Sequence, residues 1–486
     1  MAQMSSPTTS DDPRPGASAE GPLTVEEYLA VVLDDVPAPT PVSLPLEDCA
    51  GLTLADDVVA KLPVPTFTNS SMDGFAVRTA DLAEAGRAGG TGRGGGAGEA
   101  GGTGRAGATV TLPVSADIPA GVAPEPLVPG TAARIMTGAP VPDGADAVVP
   151  VEHTDSAPGP RPCPATITVP ADVAAGAHVR PAGEDVGVGD VVLSAGEELS
   201  AAALAAAASI GHGSLRVFPR PKVAVVATGA ELVAPGATPG PGQIPDSNAV
   251  LLTTLARGWG ADVTVVRASG DTADELAEAL ARGAAGADVI VTSGGISAGA
   301  FDPVKTLAAE GRADIGFHKL RQQPGGPQAR GRVAKREVSG FAVMLGLPGN
   351  PVSVFVSAIL YLRPLLAKLA GEVIGDVTSD EAGGNTGVSN ATGLATIDVV
   401  ADAEFVPRRG KRRFVPVIVT DEHARPVHEL GLGSHLIASL HRANALLILP
   451  EAGDGDADGP ATHVPGDRLT AIPLDPALRR GKDRHS

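Results

Sequence analysis

The sequence predicts a multidomain protein of the α/β plus β class, with a parallel-sheet domain, a β-rich inserted domain and a C-terminal all-β domain. Apolar β-branched segments alternate with amphipathic helical segments between residues 218 and 370, as in a parallel sheet covered by helices on both faces. Short Val, Thr and Ile runs split by Pro and Gly fill residues 58–154, and similar runs return after residue 371. A length of 486 residues leaves room for about three domains.

The composition is that of an acidic globular chain with cores of small aliphatic residues. Hydrophobic residues make up 43% of the chain and aromatic residues 2%, so Ala, Val, Leu and Ile must form the cores. The net charge of −19 argues against a nucleic-acid or anionic-membrane partner, because neutralising phosphates requires surplus Lys and Arg. Two cysteines, Cys49 and Cys163, are too few for a disulfide framework or a thiolate metal site and are typical of a cytoplasmic protein.

The first element is a helix over residues 24–35, where Thr24 and Glu27 have the spacing of a capping box. The polar, Pro-rich residues 1–21 before it predict a disordered tail and not a signal peptide, and residues 479–486 predict a second tail. Within the β-rich stretch, residues 83–107 are low-complexity Gly, Ala and Arg, which predicts a flexible surface loop without a function of its own.

The α/β region follows an Ala-rich helix at residues 199–210 that is too short and Ala-rich to span a bilayer. Its elements are, in order, the strand KVAVVATG, a helix at 249–257, the strand ADVTVVRA, the helix TADELAEALARG, the strand ADVIVTSGG, a helix from Asp302, the strand FAVMLGL and the helix VSVFVSAILYL. Ligands bind beyond the carboxyl ends of the strands in such folds. Chemistry is therefore expected in the loops after residues 228, 269, 293 and 346.

The segment VTSGGISAGAFDPVK, residues 291–305, allows two interpretations. Its glycines let backbone N–H groups approach an anion, its serines add hydroxyl donors, and the following helix adds its positive end. Alternatively, Asp302 is a helix N-cap, Pro303 suits the first helical position, and Lys305 is a solvated surface base. The other strand ends carry Thr228, the run Asp246, Ser247 and Asn248, and Asp271, of which Ser247 or Asn248 could simply cap the next helix. Four such loops at one edge favour a nucleotide-like or oxyanion ligand.

Three polar turns lie outside this region, and each alone is typical of an ordinary turn. TFTNSSMDGFAVR contains Asp73, RIMTGAPVPDG contains Thr137, and RPAGEDVGVGD contains Glu184. The chain has no Walker loop, zinc helix signature or nucleophile elbow, so those reaction classes are not expected.

Seven segments together resemble the molybdopterin molybdenumtransferase (MoeA-like) family, which is related to the gephyrin E domain: SSMDGFAV, RIMTGAPVP, RPAGED, TGAEL, GQIPDSN, SGGISAGAFDPVK and LGLPGNPVS. They occur in the family's order and cover roughly residues 22–475. The resemblance implies insertion of molybdate into adenylylated molybdopterin with release of AMP, assisted by Mg²⁺. It also implies a cytoplasmic homodimer whose active-site cleft is shared between subunits. The implied partners are molybdopterin adenylyltransferase and recipient molybdoenzymes, without nucleic acid or membrane.

The resemblance further implies four domains: domain I over residues 22–60 and 155–217, domain II over 61–154, the molybdopterin-binding domain III over 218–370, and domain IV over 371–478. The residues expected to act in catalysis are Asp73, Glu184, Asp271 and Lys305, with Asp271 and Asp302 as ligands of Mg²⁺. The residues expected to bind substrate are Thr137, Thr228, Asp246, Ser247, Asn248, Ser293, Gly294, Gly295, Ser297, Gly299, Pro324 and Pro327.

This sequence departs from the family pattern at three positions, where Thr68 and Ala230 replace Asp and Gly326 replaces Lys. The loss of Lys removes a cation beside the expected anion site, which Arg321 or Arg330 would have to supply. A catalytically weak or inactive pterin-binding or scaffold paralogue of the same fold is therefore an alternative. A relative of molybdopterin adenylyltransferase is a third reading, against which the MDGFAV and MTGAP segments count.

Overall fold

The structure, a computed structural model, describes residues 21–88, 108–268, 270, 272–296, 303–336, 339–372, 394–428, 433, 435–451, 462–475 and 478. Four predicted site residues, Asp271, Ser297, Gly299 and Asp302, lie outside this range, as do the tails up to residue 20 and from residue 479. The chain forms two compact units, which are described separately. The first consists of Met1–Val42, Gly51–Ala55 and Val217–Ser486, and the second of Ser43–Ala50 and Asp56–Arg216.

The α-helices are α1 Val25–Leu33, α2 Thr79–Ala88, α3 Ala201–Ser209, α4 Ser247–Gly258, α5 Ala273–Gly286, α6 Pro303–Ala309, α7 Pro351–Ser357, α8 Arg363–Leu369 and α9 Ile437–Leu440. A π-helical turn, Ala358–Leu362, joins α7 to α8, and 3-10 helices lie at Leu46–Asp48 and Val151–His153. The strands up to residue 217 are β1 Val42–Pro45, β2 Val58–Val59, β3 Asn69–Ser70, β4 Gly74–Val77, β5 Thr109–Ile118, β6 Ala132–Ile135, β7 Ala147–Pro150, β8 Thr166–Pro170, β9 Val179–Arg180, β10 Val191–Leu193 and β11 Ser214–Val217.

The later strands are β12 Lys222–Ala227, β13 Leu232–Val233, β14 Ile244–Pro245, β15 Asp262–Arg267, β16 Val289–Ser293, β17 Asp314–Lys319, β18 Gln322–Gln323, β19 Pro327–Ala334, β20 Phe341–Leu347, β21 Ile397–Ala401, β22 Arg412–Thr420, β23 His423–Pro426, β24 Ala445–Leu449 and β25 Arg468–Pro473.

The main sheet of the first unit has the strand order β15-β12-β16-β20-β19-β17. The predicted strands β15, β12, β16 and β20 are parallel, which confirms the α/β class. The sheet as a whole is mixed, because β19 runs antiparallel to both β20 and β17. This hairpin was not predicted, because residues 314–334 lack a continuous apolar run. β15 also differs from a strand buried on both faces, because it is the sheet edge and most of its residues are exposed.

Helices cover both faces of the sheet, as predicted. Alternate residues of a strand point to opposite faces, so Val225 and Leu345 pack with α1, α4, α7 and α8 on one side. Val226 and Met344 pack with α5 and α6 on the other side. The two apolar layers hold the carboxyl ends of the strands in fixed register, which positions the loops that follow them.

Helix α1 joins the core of the first unit. The predicted capping box is present, with Thr24 N donating to Glu27 Oε2 at 2.7 Å and Glu27 N to Thr24 Oγ1 at 3.1 Å. After its last turn, Lys368 Nζ donates to the Leu33 carbonyl at 2.8 Å and Arg330 Nη2 to the Asp34 carbonyl at 2.6 Å. These bonds satisfy carbonyls that a helix end leaves without partners. The four-domain division stays a prediction, and the two compact units place α1 with the α/β core instead of with residues 155–217.

A closed β-barrel forms the C-terminal part of the first unit, which confirms the predicted all-β region. Its strand order is β22-β23-β21-β25-β24, and a second pairing between β24 and β22 closes it. Its interior is apolar and includes Val417, Leu447 and Ala471. The short strand β18 adds to it in parallel with the start of β22.

The second unit is built on the five-stranded sheet β7-β4-β6-β5-β8, which confirms a β-rich region. Residues 83–88, predicted as the start of a loop, belong to α2, because Leu82 anchors this helix in the core and Asp81 accepts hydrogen bonds from Arg78 and Gly130. The rest of the Gly-rich run, residues 89–107, lies outside the described residues. Both cysteines are unpaired, Cys49 buried and Cys163 exposed.

One stretch of the described chain, Pro351–Leu369, is long and apolar enough to cross a membrane, with a mean hydropathy of 1.6. It spans α7, the π-helical turn and α8, and 83% of it is buried inside the protein, as in the core helix of a globular domain.

Candidate functional site

The strand register brings the predicted loops of the first unit to one edge of the sheet. The paired residues are Arg267 with Ala227, Ala227 with Ser293, and Ser293 with Leu347. The four parallel strands therefore end level with one another. The turns that follow them contain Thr228, Gly294 and Gly295, and the Pro-Gly-Asn run before α7.

Two glycine turns at this edge pack backbone to backbone. Gly294 and Gly295 have φ angles of +89° and +73°, which favour glycine because a Cβ atom is strained there. Gly294 N donates to the Leu347 carbonyl at 2.9 Å, and a Cβ atom on Gly349 would lie 3.5 Å from Gly294 Cα. Asn248 Nδ2 donates to the Gly349 carbonyl at 2.8 Å. The amide of Asn248, expected to bind substrate, is thus used to hold a turn of the site in place.

Asp246 is the N-cap of α4. Its Oδ1 accepts from Ala249 N at 3.0 Å, and the residue is only 1% exposed. The alternative that Ser247 or Asn248 caps the helix is wrong, because Ser247 is already the first residue of α4. Asp246 Oδ2 is buried without a hydrogen-bond partner among the described residues, and Arg267 Nη1 lies 3.8 Å from it. The carboxylate therefore keeps one acceptor atom unused beside a cation.

Two threonines near the strand ends also have unused hydroxyls. Thr228 is 9% exposed and Thr292 is fully buried, and within the described ranges neither Oγ1 atom has a hydrogen-bond partner. Ser293, the last residue of β16, is buried at the same edge. Lys305 is half-buried in the seven-residue helix α6, whose Val304 and Leu307 anchor it in the core.

The turn QQPGGPQ, residues 322–328, is held by a buried amide network that sequence analysis missed. Gln328 Nε2 donates to the Gly325 carbonyl at 2.8 Å and to Ser357 Oγ at 2.7 Å. Gln322 Nε2 donates to the Pro324 carbonyl at 2.8 Å, and Gln322 Oε1 accepts a hydrogen bond from the Tyr361 hydroxyl. Burial raises the pKa of Tyr361 well above its ordinary value, which keeps this donor protonated. Three glutamines around a Pro-Gly-Gly-Pro run were the only signal in the sequence.

The same network fixes Pro324 and Pro327 at the sheet edge, because β19 begins at Pro327 beside the end of β20. Both arginines that were expected to replace the missing Lys lie close to another group of the protein. Arg330 is bound to the end of α1, and the Arg321 guanidinium lies 3.9 Å from the Glu451 carboxylate.

In the second unit, Asp73 and Thr137 come together as a pair. Asp73 Oδ1 accepts from Thr137 N at 2.7 Å and from Thr137 Oγ1 at 2.9 Å, and both residues are exposed. The neighbouring Gly74 has no room for a side chain, since a Cβ atom there would lie 2.0 Å from the Val149 carbonyl oxygen.

Glu184 lies exposed in the turn after β9, and β9 pairs with β3 just before the Asp73 turn. Ala182 N donates to Thr68 Oγ1 at 3.2 Å. Thr68, a departure from the family pattern, therefore supplies an acceptor that joins the two segments. The Asp73, Thr137 and Glu184 segments form one surface of the second unit.

The chain has relatives that match it over most of its length. Molybdopterin molybdenumtransferase 2 of Mycobacterium tuberculosis is 38% identical over 437 residues, which covers 88% of this chain and 95% of the relative. The chain belongs to the molybdopterin molybdenumtransferase family. Molybdopterin molybdenumtransferase 1 of the same organism is 32% identical over 446 residues, covering 91% of this chain and 98% of that protein.

Family profiles and solved structures agree with this membership of the molybdenumtransferase family. The MoeA N-terminal region (domain I and II) matches residues 23–211, a probable molybdopterin binding domain matches residues 224–368, and the MoeA C-terminal region (domain IV) matches residues 398–460. The crystal structure of the molybdopterin biosynthesis MoeA protein from Pyrococcus horikosii covers 94% of this chain and all of its own, with a TM-score of 0.70 and 25% identity. A second such structure, from Pyrococcus horikoshii OT3, has a TM-score of 0.61, 23% identity and coverages of 93% and 100%, and shows the same fold.

The described residues contain no group of three or more His, Cys, Asp or Glu side chains that could hold a metal ion. Both residues expected to bind Mg²⁺, Asp271 and Asp302, lie outside the described residues. The described site thus consists of backbone N–H groups, hydroxyls, one buried carboxylate and a few cations.

Proposed function

We propose that this chain is a transferase of molybdenum cofactor biosynthesis, which inserts molybdate into adenylylated molybdopterin and releases AMP. One observation carries the proposal: the glycine and hydroxyl turns after β12, β16 and β20 meet at one edge of the region that matches a probable molybdopterin binding domain. The names of the mycobacterial relatives support the same reaction class.

The geometry suits two anionic reactants. Molybdate is a dianion and adenylylated molybdopterin carries a pyrophosphate, so bringing them together is opposed by charge repulsion. The glycine turn after β16 lets the backbone come close to an anion, and the Thr228 and Ser293 hydroxyls can act as hydrogen-bond donors to it. Lys305, in the first turn of the helix that follows β16, is expected to supply positive charge. These groups bind and orient the anions.

The finer parts of the proposal follow from the sequence motifs. We expect a requirement for Mg²⁺ held by Asp271 and Asp302, because carboxylate oxygens are the ligands that this ion prefers. We also expect a cytoplasmic homodimer that receives its substrate from molybdopterin adenylyltransferase and passes the product to recipient molybdoenzymes. None of the comparisons favours the scaffold alternative.

AMP release from adenylylated molybdopterin and molybdate by the purified full-length chain tests the function. Lys305→Ala should lower the rate by about a hundredfold or more, the usual effect of removing one group that stabilises charge in a transition state. Lys222→Ala, at the opposite end of β12, is the matched control and should leave the rate unchanged.

Complementation of a molybdate-insertion mutant, read out as nitrate reductase activity, tests the same function in cells. A mild effect of Lys305→Ala would contradict the role given to that side chain. Failure of the unmodified chain both to release AMP and to complement the mutant would contradict the function itself.

A further inference from the structure

The QQPGGPQ turn is poor in backbone hydrogen-bond donors. Pro324 and Pro327 have no N–H group, so two of the four residues between Gln323 and Gln328 cannot donate from the main chain. The carbonyl oxygens of Pro324 and Gly325 instead accept from the side-chain amides of residues 322 and 328, and each of these two glutamines is only 1% exposed. The shape of the turn therefore depends on two buried side chains.

These side chains enclose the turn at Gly325. This glycine has a φ angle of +86°, and a Cβ atom on it would lie 2.9 Å from Ser357 Oγ and 3.1 Å from Gln322 Nε2. A side chain does not fit there unless one of those polar groups moves. Because the groups lie so close to the backbone, a small rotation of either amide displaces the turn itself.

Tyr361 holds the first of the two amides in place. Its hydroxyl, which is buried, donates to Gln322 Oε1, and the other end of that amide donates to the Pro324 carbonyl. An amide group is planar, so the bond at Oε1 fixes the direction in which the Nε2–H points. The three groups form a chain of hydrogen bonds in which each bond strengthens the next.

The backbone around Tyr361 is unusual. This residue belongs to the π-helical turn Ala358–Leu362, in which Arg363 N donates to the Ala358 carbonyl. Such turns are rare, and they often occur at functional sites. The hydroxyl groups of Ser357, at the end of α7, and of Tyr361 both bind amides of the QQPGGPQ turn. The irregular part of the helix is thus the part that contacts the turn.

Tyr28 is a natural comparison for Tyr361. Its ring packs edge-on against the Tyr361 ring with the centroids 4.8 Å apart, and both residues are buried in the same core. In the part of the chain that the structure describes, however, the Tyr28 hydroxyl has no hydrogen-bond partner. One tyrosine of the pair serves packing, whereas the other also directs a donor at the turn.

We propose that Tyr361 is a positioning residue of the transferase, which acts through Gln322 to fix the turn that the substrate contacts at Pro324 and Pro327. Contact between substrate and turn rests on the proposed function, whereas the effect of Tyr361 on the turn does not. Stability alone gives little reason for this network, because apolar groups of the same shape in place of a buried hydrogen-bonded pair are often nearly neutral. Apolar groups would not hold a carbonyl in one position.

Hydrogen exchange of the full-length chain, followed by mass spectrometry, tests the effect on the turn. Tyr361→Phe keeps the ring and removes only the hydroxyl, so exchange in a peptide covering residues 320–328 should become about fivefold faster, as for the loss of one hydrogen bond. A peptide covering β12 should exchange as in the unmodified chain, because the loosening is local. Tyr28→Phe, the matched control, should change neither peptide.

Steady-state AMP release tests the role in the reaction. Tyr361→Phe should raise the KM for adenylylated molybdopterin about fivefold and leave kcat unchanged, because a displaced turn weakens the binding of substrate and transition state alike. Gln322→Met removes the donor to the Pro324 carbonyl and should raise the KM at least as much. The double variant Tyr361→Phe/Gln322→Met should be no worse than Gln322→Met, since Tyr361 acts only through Gln322. Tyr28→Phe should keep the KM of the unmodified chain.

Each result decides one part of the proposal. Unchanged exchange of residues 320–328 in Tyr361→Phe, or an equal change in Tyr28→Phe, would overturn the effect of the hydroxyl on the turn. Additive effects of Tyr361→Phe and Gln322→Met on the KM would overturn the route through Gln322. Faster exchange with an unchanged KM would overturn the role in the reaction. If the unmodified chain releases no AMP but Tyr361→Phe still loosens the turn, the proposed function fails and the effect on the turn stands.

Discussion

At the residue scale, the neighbouring residues Asp73 and Gly74 of the MDG segment are needed for two different reasons. Asp73 is exposed, and its Oδ1 atom accepts two hydrogen bonds from Thr137, so this position uses the polar carboxylate at the surface. Gly74 is buried on β4, where the approach of β7 leaves no space for a Cβ atom. The sequence motif contains both residues but predicted a role only for Asp73, and the packing gives the reason for Gly74.

Gly74→Ala should destabilise the second unit by about 3 kcal/mol, because the added Cβ atom would overlap the Val149 carbonyl oxygen and the strands would have to move apart. Urea unfolding followed by far-ultraviolet circular dichroism measures the effect. Gly213→Ala is the control, since a Cβ atom there meets nothing within 4 Å, and it should change stability by less than about 0.5 kcal/mol. Equal stability of the two variants would show that β4 and β7 separate without cost.

At the element scale, helices were predictable where their ends carry signals and strands where their runs are apolar. The capping boxes of α1 and α5 were both identified from a Thr and a Glu three residues apart. The antiparallel pair β17 and β19 was missed because its residues include Gly, His and Arg, which do not form a periodic apolar pattern. Its pairing depends on the neighbouring strand β20, a tertiary partner.

Thr24→Ala should lower the stability of the first unit by about 1 kcal/mol, because the Glu27 N–H loses its acceptor at the start of α1. Urea unfolding followed by the fluorescence of Trp259, the single tryptophan, measures the stability of this unit, because the Trp259 side chain packs against the same core as α1. Thr24→Ser keeps the side-chain oxygen and should remain near the unmodified stability. A loss as large in the Ser variant would mean that the Thr methyl group, and not the cap, matters.

At the scale of the whole molecule, stability in acid is expected to depend on the second unit. Hydrogen bonds from Arg78 lower the pKa of Asp81, and those from Arg134 lower the pKa of Asp117. A carboxyl whose pKa is lower in the folded than in the unfolded state stabilises the fold above its ordinary pKa of about 4. That contribution disappears as the pH falls through the folded value.

Asp81→Asn should therefore reduce the stability of the second unit at neutral pH and flatten its decline below about pH 4, because the titrating group is gone. Unfolding free energies measured between neutral and acid pH test this. Glu125→Gln, an exposed change in the same unit, is the control and should change the stability at neutral pH by less than about 0.5 kcal/mol. A parallel pH profile for Asp81→Asn and the unmodified chain would contradict the linkage.

The sequence alone determined what depends on local patterns. Helix caps, the apolar runs of β12, β16 and β20, and the glycine turns after them were all predictable, because their causes lie within a few residues. The family resemblance followed from the order of its motifs. The roles of the predicted site residues stay predictions.

Only the tertiary structure decided which distant segments meet. It attached α1 to the core of the first unit, used Asp246 as a buried cap beside Arg267, and built a Gln and Tyr network around the QQPGGPQ turn. It also brought the start of β22 next to the start of the QQPGGPQ turn through the pairing of β18 with β22. Residues 322 and 412 lie far apart in the sequence, and their contact depends on the packing of the barrel within the first unit, which no local pattern encodes.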